Sequence, residues 1–437
     1  MRVVHLSTND ISGGAARAAY RLHRALLASG CQSTMVVVNR RSDDPTVQAI
    51  PPAAHWFSHW LRRWRGWQIR RALQPYRRTR PDGFEQFSDD RSRYGGEVVR
   101  ALPPCDVINL HWVAGFIDYT SFFRLVPRRA PVVWRLSDQQ PFSGGCHYDD
   151  GCGRYADACG ACPQLGSRDE HDLSRQIWQR KQAALAAVPA GRLHIVALNR
   201  WMAAEVQRSS LFSRFPVHII PNGLDTTVFA PIDRASARAA LGLPPQARIV
   251  LFVAVSVNNR RKGFAELAAA LAGLADEPDL LLVSIGRNPP PIAAPIKHHA
   301  LGVITDDARL ALAYSAADLF VIPSLQDNMP STVLEALACA TPVVGFDAGG
   351  IGELVRPGQT GWLAPVGDVT ALREAICRLL RNDDERLLMS RAGRDLALAE
   401  YRQEVQAQRY LELYRQIMAA ANESAASVNN RYNQRLN

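Results

Sequence analysis

Asp327 and Glu335 stand eight residues apart in DLFVIPSLQDNMPSTVLEALACATPVVGFDAGGIGELV, residues 318–355. The first lies in a loop after an apolar run, and the second lies one turn into a helix that Pro330 and Ser331 open. Two acids so placed can both accept hydrogen bonds from the paired hydroxyls of a polyhydroxylated ligand. Free backbone NH groups near Ser331 and Thr332 offer an anion site at the helix start. Hydroxyls on one side and phosphate on the other make one ligand's worth of chemistry. The plainer reading of Glu335 is a solvated helix charge, but Leu334, Ala336 and Leu337 make its surroundings apolar.

Three further clusters carry chemistry. In VSVNNRRKGFAELAAAL (255–271), Arg260, Arg261 and Lys262 leave a predicted strand and enter a helix. Cations at a strand's carboxyl end can neutralise a diphosphate, although in isolation the stretch reads as a solvated basic loop. In STNDISGGAARAAYRLHRALLASG, Gly13 and Gly14 separate a strand ending at Ser7 from a helix that runs from about Ala15 until Gly30 stops it. Glycines there let a ligand approach the backbone, and the helix start favours an anion, but this is not a full dinucleotide fingerprint. Finally, Cys146, Cys152, Cys159 and Cys162 follow a C-x5-C-x6-C-x2-C spacing. Four thiolates so close can surround a tetrahedral structural zinc, with reduced thiols or two disulfides as the alternatives.

These residues need elements to position them. At 437 residues with 47% apolar content, the chain is long enough for two or three domains. Short β-rich runs alternate with helical patterns: RVVHLS, TMVVV, DVINLH, PVVWRL and LHIVAL, then from about 215 VHII, ARIVLFVAV, LLLVSIG, DLFVIPS and TPVVGF. Such alternation predicts parallel sheets covered by helices, hence two successive α/β domains with a seam near 200–217. No segment reaches the roughly 18 apolar residues of a spanning helix. MRVVHLSTND reads as a first strand rather than a signal peptide, so a cytoplasmic protein is expected.

IIPNGLDTTVFAP (219–231), RKGF (261–264) and PSLQDNMPSTVLEALACATPVVGFDAGG (323–350), with GGAARAA and DVINLHW, resemble the nucleotide-sugar-dependent retaining glycosyltransferases of family four. The resemblance covers roughly residues 1–420. WRLSDQQPFSGGCHY and CGACPQL look like a subgroup that builds cell-surface polysaccharides. The resemblance implies an α/β GT-B fold, two Rossmann-like domains facing across a cleft. Residues 1–210 would form the acceptor-binding domain and 211–400 the nucleotide-sugar-binding domain. A helix at 401–420 would return to the first domain, ahead of a polar, mobile tail at 421–437. Lys262, aided by Arg261, would hold the donor diphosphate, and Asp327 would face the donor sugar. Glu335 would bind the ribose, His111 would lie near the reaction centre, and Gly14 near the phosphates. The chain departs from the family at three places. Asp327 replaces the usual glutamate, Ser256 stands where many members carry arginine, and Ser137 stands where relatives often have histidine. No catalytic metal and no enzymic nucleophile are expected, because fixed donors stabilise the departing diphosphate.

HWFSHWLRRWRGWQIRRALQPYRRTR (55–80) carries eight arginines, four tryptophans and no acid, and supplies most of the net charge of +10. As a helix over 56–71 it would align Trp56, Trp60, Trp64 and Trp67 on one aromatic face flanked by arginines. That is the pattern of a helix lying in an anionic membrane interface; packing into its own domain is the alternative. With the family resemblance it implies a peripheral enzyme on the inner face of the cell membrane, acting on a saccharide carried by a polyprenyl diphosphate lipid. The competing readings are a GT-B-like epimerase or phosphorylase, and a zinc-knuckle nucleic-acid-binding protein. The last leaves Asp327, Glu335 and PNGLD unexplained, and no nucleic-acid partner is expected.

Overall fold

Runs of valine, isoleucine and leucine buried on both faces build two parallel sheets. The computed structural model describes residues 1–127, 129–288 and 296–434, with side chains described as far as 421 and at 423. The chain divides into two compact units. Unit 1 comprises Met1–Asp82, Gln86–Pro221 and the chain from Gln406; unit 2 comprises Gly83–Glu85 and Asn222–Val405.

Unit 1 holds β1 (Arg2–Asn9), β2 (Gln32–Asn39), β3 (Val47–Ala49), β4 (Val107–Leu110), β5 (Val132–Arg135), β6 (Leu193–Ala197) and β7 (Val217–Ile219). They pair in the order β3-β2-β1-β4-β5-β6-β7, every ladder parallel. Unit 2 holds β8 (Arg248–Ser256), β9 (Leu280–Arg287), β10 (Lys297–Ala300), β11 (Leu319–Ile322), β12 (Val343–Phe346) and β13 (Gly361–Ala364), in the order β10-β9-β8-β11-β12-β13 and again parallel. Both are doubly wound, Rossmann-like arrangements. The run VHII, read from the sequence as opening the second half, is instead the last strand of the first sheet, with Ile195 opposite Val217. A three-residue edge strand carries no mark of its partner, so sequence rhythm alone misassigns it.

Helix α1 (Gly14–Ala28) buries Ala16, Ala19, Leu22 and Leu26 at helical spacing against the first sheet. On that side of the sheet lies the C-terminal helix Gln403–Gln434, whose residues from Gln406 belong to unit 1. Its Ala407, Tyr410, Leu413, Tyr414 and Ile417 join Val3, Leu22, Leu26, Val107, Val133 and Val196 in one core cluster. The Tyr414 hydroxyl accepts a hydrogen bond from the buried Asn109 Nδ2 at 2.7 Å. The segment expected to be a mobile tail continues this helix through Gln434, since ANESAASVNNRYNQ contains neither glycine nor proline to end it. Residues 435–437 lie outside the described ones.

Helix α2 (Trp56–Leu73) is different in kind. None of its residues is buried, and Trp56, Trp60, Trp64 and Trp67 are 81%, 51%, 42% and 48% exposed. Trp60 and Trp64 stack with ring centroids 6.2 Å apart, and Arg62 is anchored to Glu97.

Tyr414→Phe removes the acceptor of a buried amide while keeping the ring. It should cost about 1–3 kcal/mol, read as a lower denaturant midpoint with an unchanged m-value; an unshifted midpoint would mean the helix is not held through this bond.

Candidate functional site

Strand order reverses between β1 and β4 in unit 1 and between β8 and β11 in unit 2, and ligands of such sheets bind beyond the carboxyl ends at these points. In unit 2 a single 3₁₀ turn, Arg260–Lys262, follows β8, with the Arg261 NH donating to the Asn259 side chain. Gly263 ends the turn at φ +68°, and a Cβ there would lie 1.7 Å from the Pro323 carbonyl oxygen. Only glycine lets the loop after β8 press against the loop after β11. Across that contact Lys262 Nζ reaches Asp327 Oδ2 at 2.5 Å, and Arg261 Nη1 lies 3.2 Å from the same oxygen. Arg261 Nη1 also donates to the Gln326 carbonyl at 2.7 Å. The glycine pair of FDAGG clasps the acid from behind. Gly350 N donates to the Asp327 carbonyl at 2.9 Å, and a Cβ on Gly349 would lie 2.1 Å from it.

Electrostatics follows from this crowding. Burial on its own would raise the Asp327 carboxyl, but Lys262 and Arg261 beside it bring it down to about 2, so it is ionised at neutral pH. Burial lowers the Lys262 ammonium, and Asp327 opposes that shift. Drawing charges out of water in this way is costly unless they are paired, and such clusters gather where ligands bind.

Glu335 is 5% exposed on the helix Ser331–Ala338, where its Oε2 accepts from the Tyr314 hydroxyl at 3.0 Å. Ser331 and Thr332 are the half-buried first residues of that helix. Of the residues weighed as replacements for an arginine at Ser256, Arg261 joins the cluster, whereas Arg260 is exposed, with its guanidinium 5.9 Å from the Phe84 ring centroid.

In unit 1, Gly13 at φ +93° and Gly14 open α1, with no atom within 4 Å of where a Cβ would stand on either. His111 directly follows β4 but is 1% exposed. Its Nε2 is 2.8 Å from His5 Nδ1, and burial pushes both imidazoles well below their usual range. As placed, His111 is a buried, neutral imidazole beside His5. Cys146, Cys152, Cys159 and Cys162 are free thiols lining one cavity of about 20 Å³, room for a single water-sized occupant. Burial pushes the Cys159 and Cys162 thiols up to about 12 and about 11. Among the described residues no group of three or more His, Cys, Asp or Glu side chains is arranged to hold a metal ion, as the expected tetrahedral zinc would require.

Two features escaped the sequence reading. Asp138 Oδ2 takes hydrogen bonds from His147 Nδ1 at 2.6 Å and from Trp112 Nε1 at 2.9 Å, and Ser88 Oγ lies 2.8 Å from His147 Nε2. Glu85 binds the cation turn of unit 2. The Trp112 and Ser88 contacts and the Glu85 contact join residues 26 to 176 positions apart, which no local spacing announces.

Residues 247–382 match the family model described as Glycosyl transferases group 1. Among curated proteins, the chain is 34% identical over 247 residues to the alpha-maltose-1-phosphate synthase of Mycolicibacterium smegmatis, covering 52% of this chain and 63% of that one. It thus spans somewhat under two thirds of that relative's length. Among solved structures, a sucrose-phosphate synthase from Thermosynechococcus elongatus superposes with a TM-score of 0.64 at 22% identity, over 96% of this chain and 100% of that one. Anabaena HepE in complex with UDP-glucose gives a TM-score of 0.59 at 16% identity, over 94% and 99%. At such identities the likeness is one of fold. The segment carrying Arg261, Lys262, Asp327 and Glu335 therefore matches the group 1 glycosyl transferase family model, and the chain has the two-unit α/β fold of these solved proteins.

Proposed function

We propose that the protein is a retaining glycosyltransferase that moves a sugar from a nucleotide-sugar donor to a saccharide acceptor. The observation that carries this reading is the Arg261, Lys262 and Asp327 cluster, set at the strand-order reversal of unit 2 within the matched segment. Breaking a sugar–phosphate bond leaves negative charge on the diphosphate, and fixed cations aimed at that charge favour the transition state over the ground state. In this reading Lys262 and Arg261 hold the diphosphate, with the NH groups at Ser331 and Thr332 beside them. Asp327 orients Lys262 and faces the sugar, while Glu335, held by Tyr314, receives the ribose hydroxyls. The departing phosphate takes the acceptor proton, so no enzymic nucleophile is assigned. UDP-glucose, found with the fold relative HepE, is the first donor to try.

For the acceptor, the exposed aromatic and arginine-rich face of α2 favours a saccharide held at an anionic membrane on a polyprenyl diphosphate lipid. Indole rings left in water have a use at headgroup depth, and arginines beside them attract anionic lipid. The name of the Mycolicibacterium relative favours a second reading, in which the acceptor is a soluble phosphorylated sugar.

Lys262→Ala should lower turnover with saturating donor by about 10²–10³-fold, or roughly 3–4 kcal/mol of transition-state stabilisation; an unchanged rate would reject its role. Sugar-nucleotide consumption, assayed with lipid-linked saccharide in one arm and a sugar phosphate in the other, separates the two acceptor readings. On vesicles rich in anionic lipid the full chain should float, and Trp60→Ala with Trp64→Ala should abolish flotation while leaving donor hydrolysis intact. If the unaltered protein stays in the pellet fraction even with strongly anionic vesicles, the membrane reading is lost.

A further inference from the structure

Glu85 belongs to no motif, yet it occupies Arg261, one of the two cations of the candidate diphosphate site. Gly83–Glu85 form part of unit 2, although the chain on either side belongs to unit 1. Each of the three residues meets the turn after β8. Glu85 Oε1 accepts from Arg261 Nη2 at 2.7 Å, from Arg261 Nε at 2.9 Å and from Asn259 Nδ2 at 2.9 Å. The Phe84 ring lies beside the Arg260 guanidinium. Gly83, at φ +85°, lies so close that a Cβ would stand 3.3 Å from the Arg260 Cβ. Burial would raise the Glu85 carboxyl, but Arg261 and Asn259 hold it below its ordinary value, so it is an anion at neutral pH.

A guanidinium offering two NH groups to one oxyanion is the geometry in which arginine takes a phosphate. Charge counting sharpens the point. Arg261 and Lys262 bring two positive charges, and Asp327 and Glu85 bring two negative ones, so the cluster is neutral as it stands. A diphosphate gains less from those cations while both carboxylates hold them. Asp327 is fixed, its side chain 7% exposed and its carbonyl clasped by Gly350. Glu85 is the looser partner, 25% exposed and carried on a separate three-residue segment.

We infer that Glu85 is a built-in competitor for the donor: it sits on Arg261 and Asn259 and must leave when a nucleoside diphosphate binds. This rests on the donor-site reading above. It makes donor affinity a balance between an external phosphate and an internal carboxylate, and it gives the segment after α2 a direct hold on the site.

The test is calorimetric titration of the full chain with UDP and, as a probe blind to the base, with inorganic pyrophosphate. Glu85→Gln keeps the shape and removes the charge; Glu85→Ala removes both. Each variant should bind the probe that the unaltered protein binds roughly 5- to 30-fold more tightly, the worth of one lost charge-assisted competitor. The gain should shrink at high salt, where all such contacts weaken. Affinity that is unchanged or weaker in both variants, while the unaltered protein binds, overturns the inference alone and makes Glu85 a positioning residue for Arg261. Binding of neither probe by any of the three proteins overturns the donor-site reading and this inference together.

Discussion

The contact between Lys262 and Asp327 organises the chemistry of the second unit. It forms because two neighbouring parallel strands, β8 and β11, deliver their loops to the same edge of the sheet, and because Gly263 lets those loops touch. An ion pair this secluded is a poor source of stability, since desolvation offsets most of the attraction. In the proposed donor site, its value lies in presetting a cation whose position no longer depends on the ligand. A lysine already held in place loses little side-chain freedom when a phosphate arrives, and it needs no reorganisation as charge develops.

Around that pair the surrounding residues act as supports. The glycines of FDAGG hold Asp327 by its backbone, Gln326 holds Arg261 by its carbonyl, and Tyr314 holds Glu335. Each support comes from a different element, so the geometry of the cluster depends on the packing of the whole second sheet. Unit 1 repeats that strand order with one further strand, β7, but presents a different chemistry. Its glycine turn before α1 is open, while His5, His23 and His111 are packed away as neutral rings.

Strand-forming runs and the repeat of one α/β pattern after another were legible because parallel strands buried on both faces read as unbroken apolar stretches, as in IVLFVAV. Short edge strands were not: VQA at β3 and KHHA at β10 carry no such signal, and VHI declares no partner. The loop position of Lys262 and Asp327 followed from where strands end. Their mutual distance did not, since 65 residues separate them. Glu85 was wholly hidden, lying 176 residues from the arginine it binds. The place of His111 at a strand end was readable, but its burial against His5 was not. That the four cysteines line one cavity was not readable from their spacing alone.

Everything proposed for the second unit requires that Arg261 and Lys262 receive a diphosphate. The most direct measurement is a crystal structure of the full chain grown with UDP. The pyrophosphate should lie within hydrogen-bond reach of Lys262 Nζ and the Arg261 guanidinium, with the ribose hydroxyls at Glu335. A nucleotide bound away from those side chains, or none at millimolar concentration, would contradict that requirement.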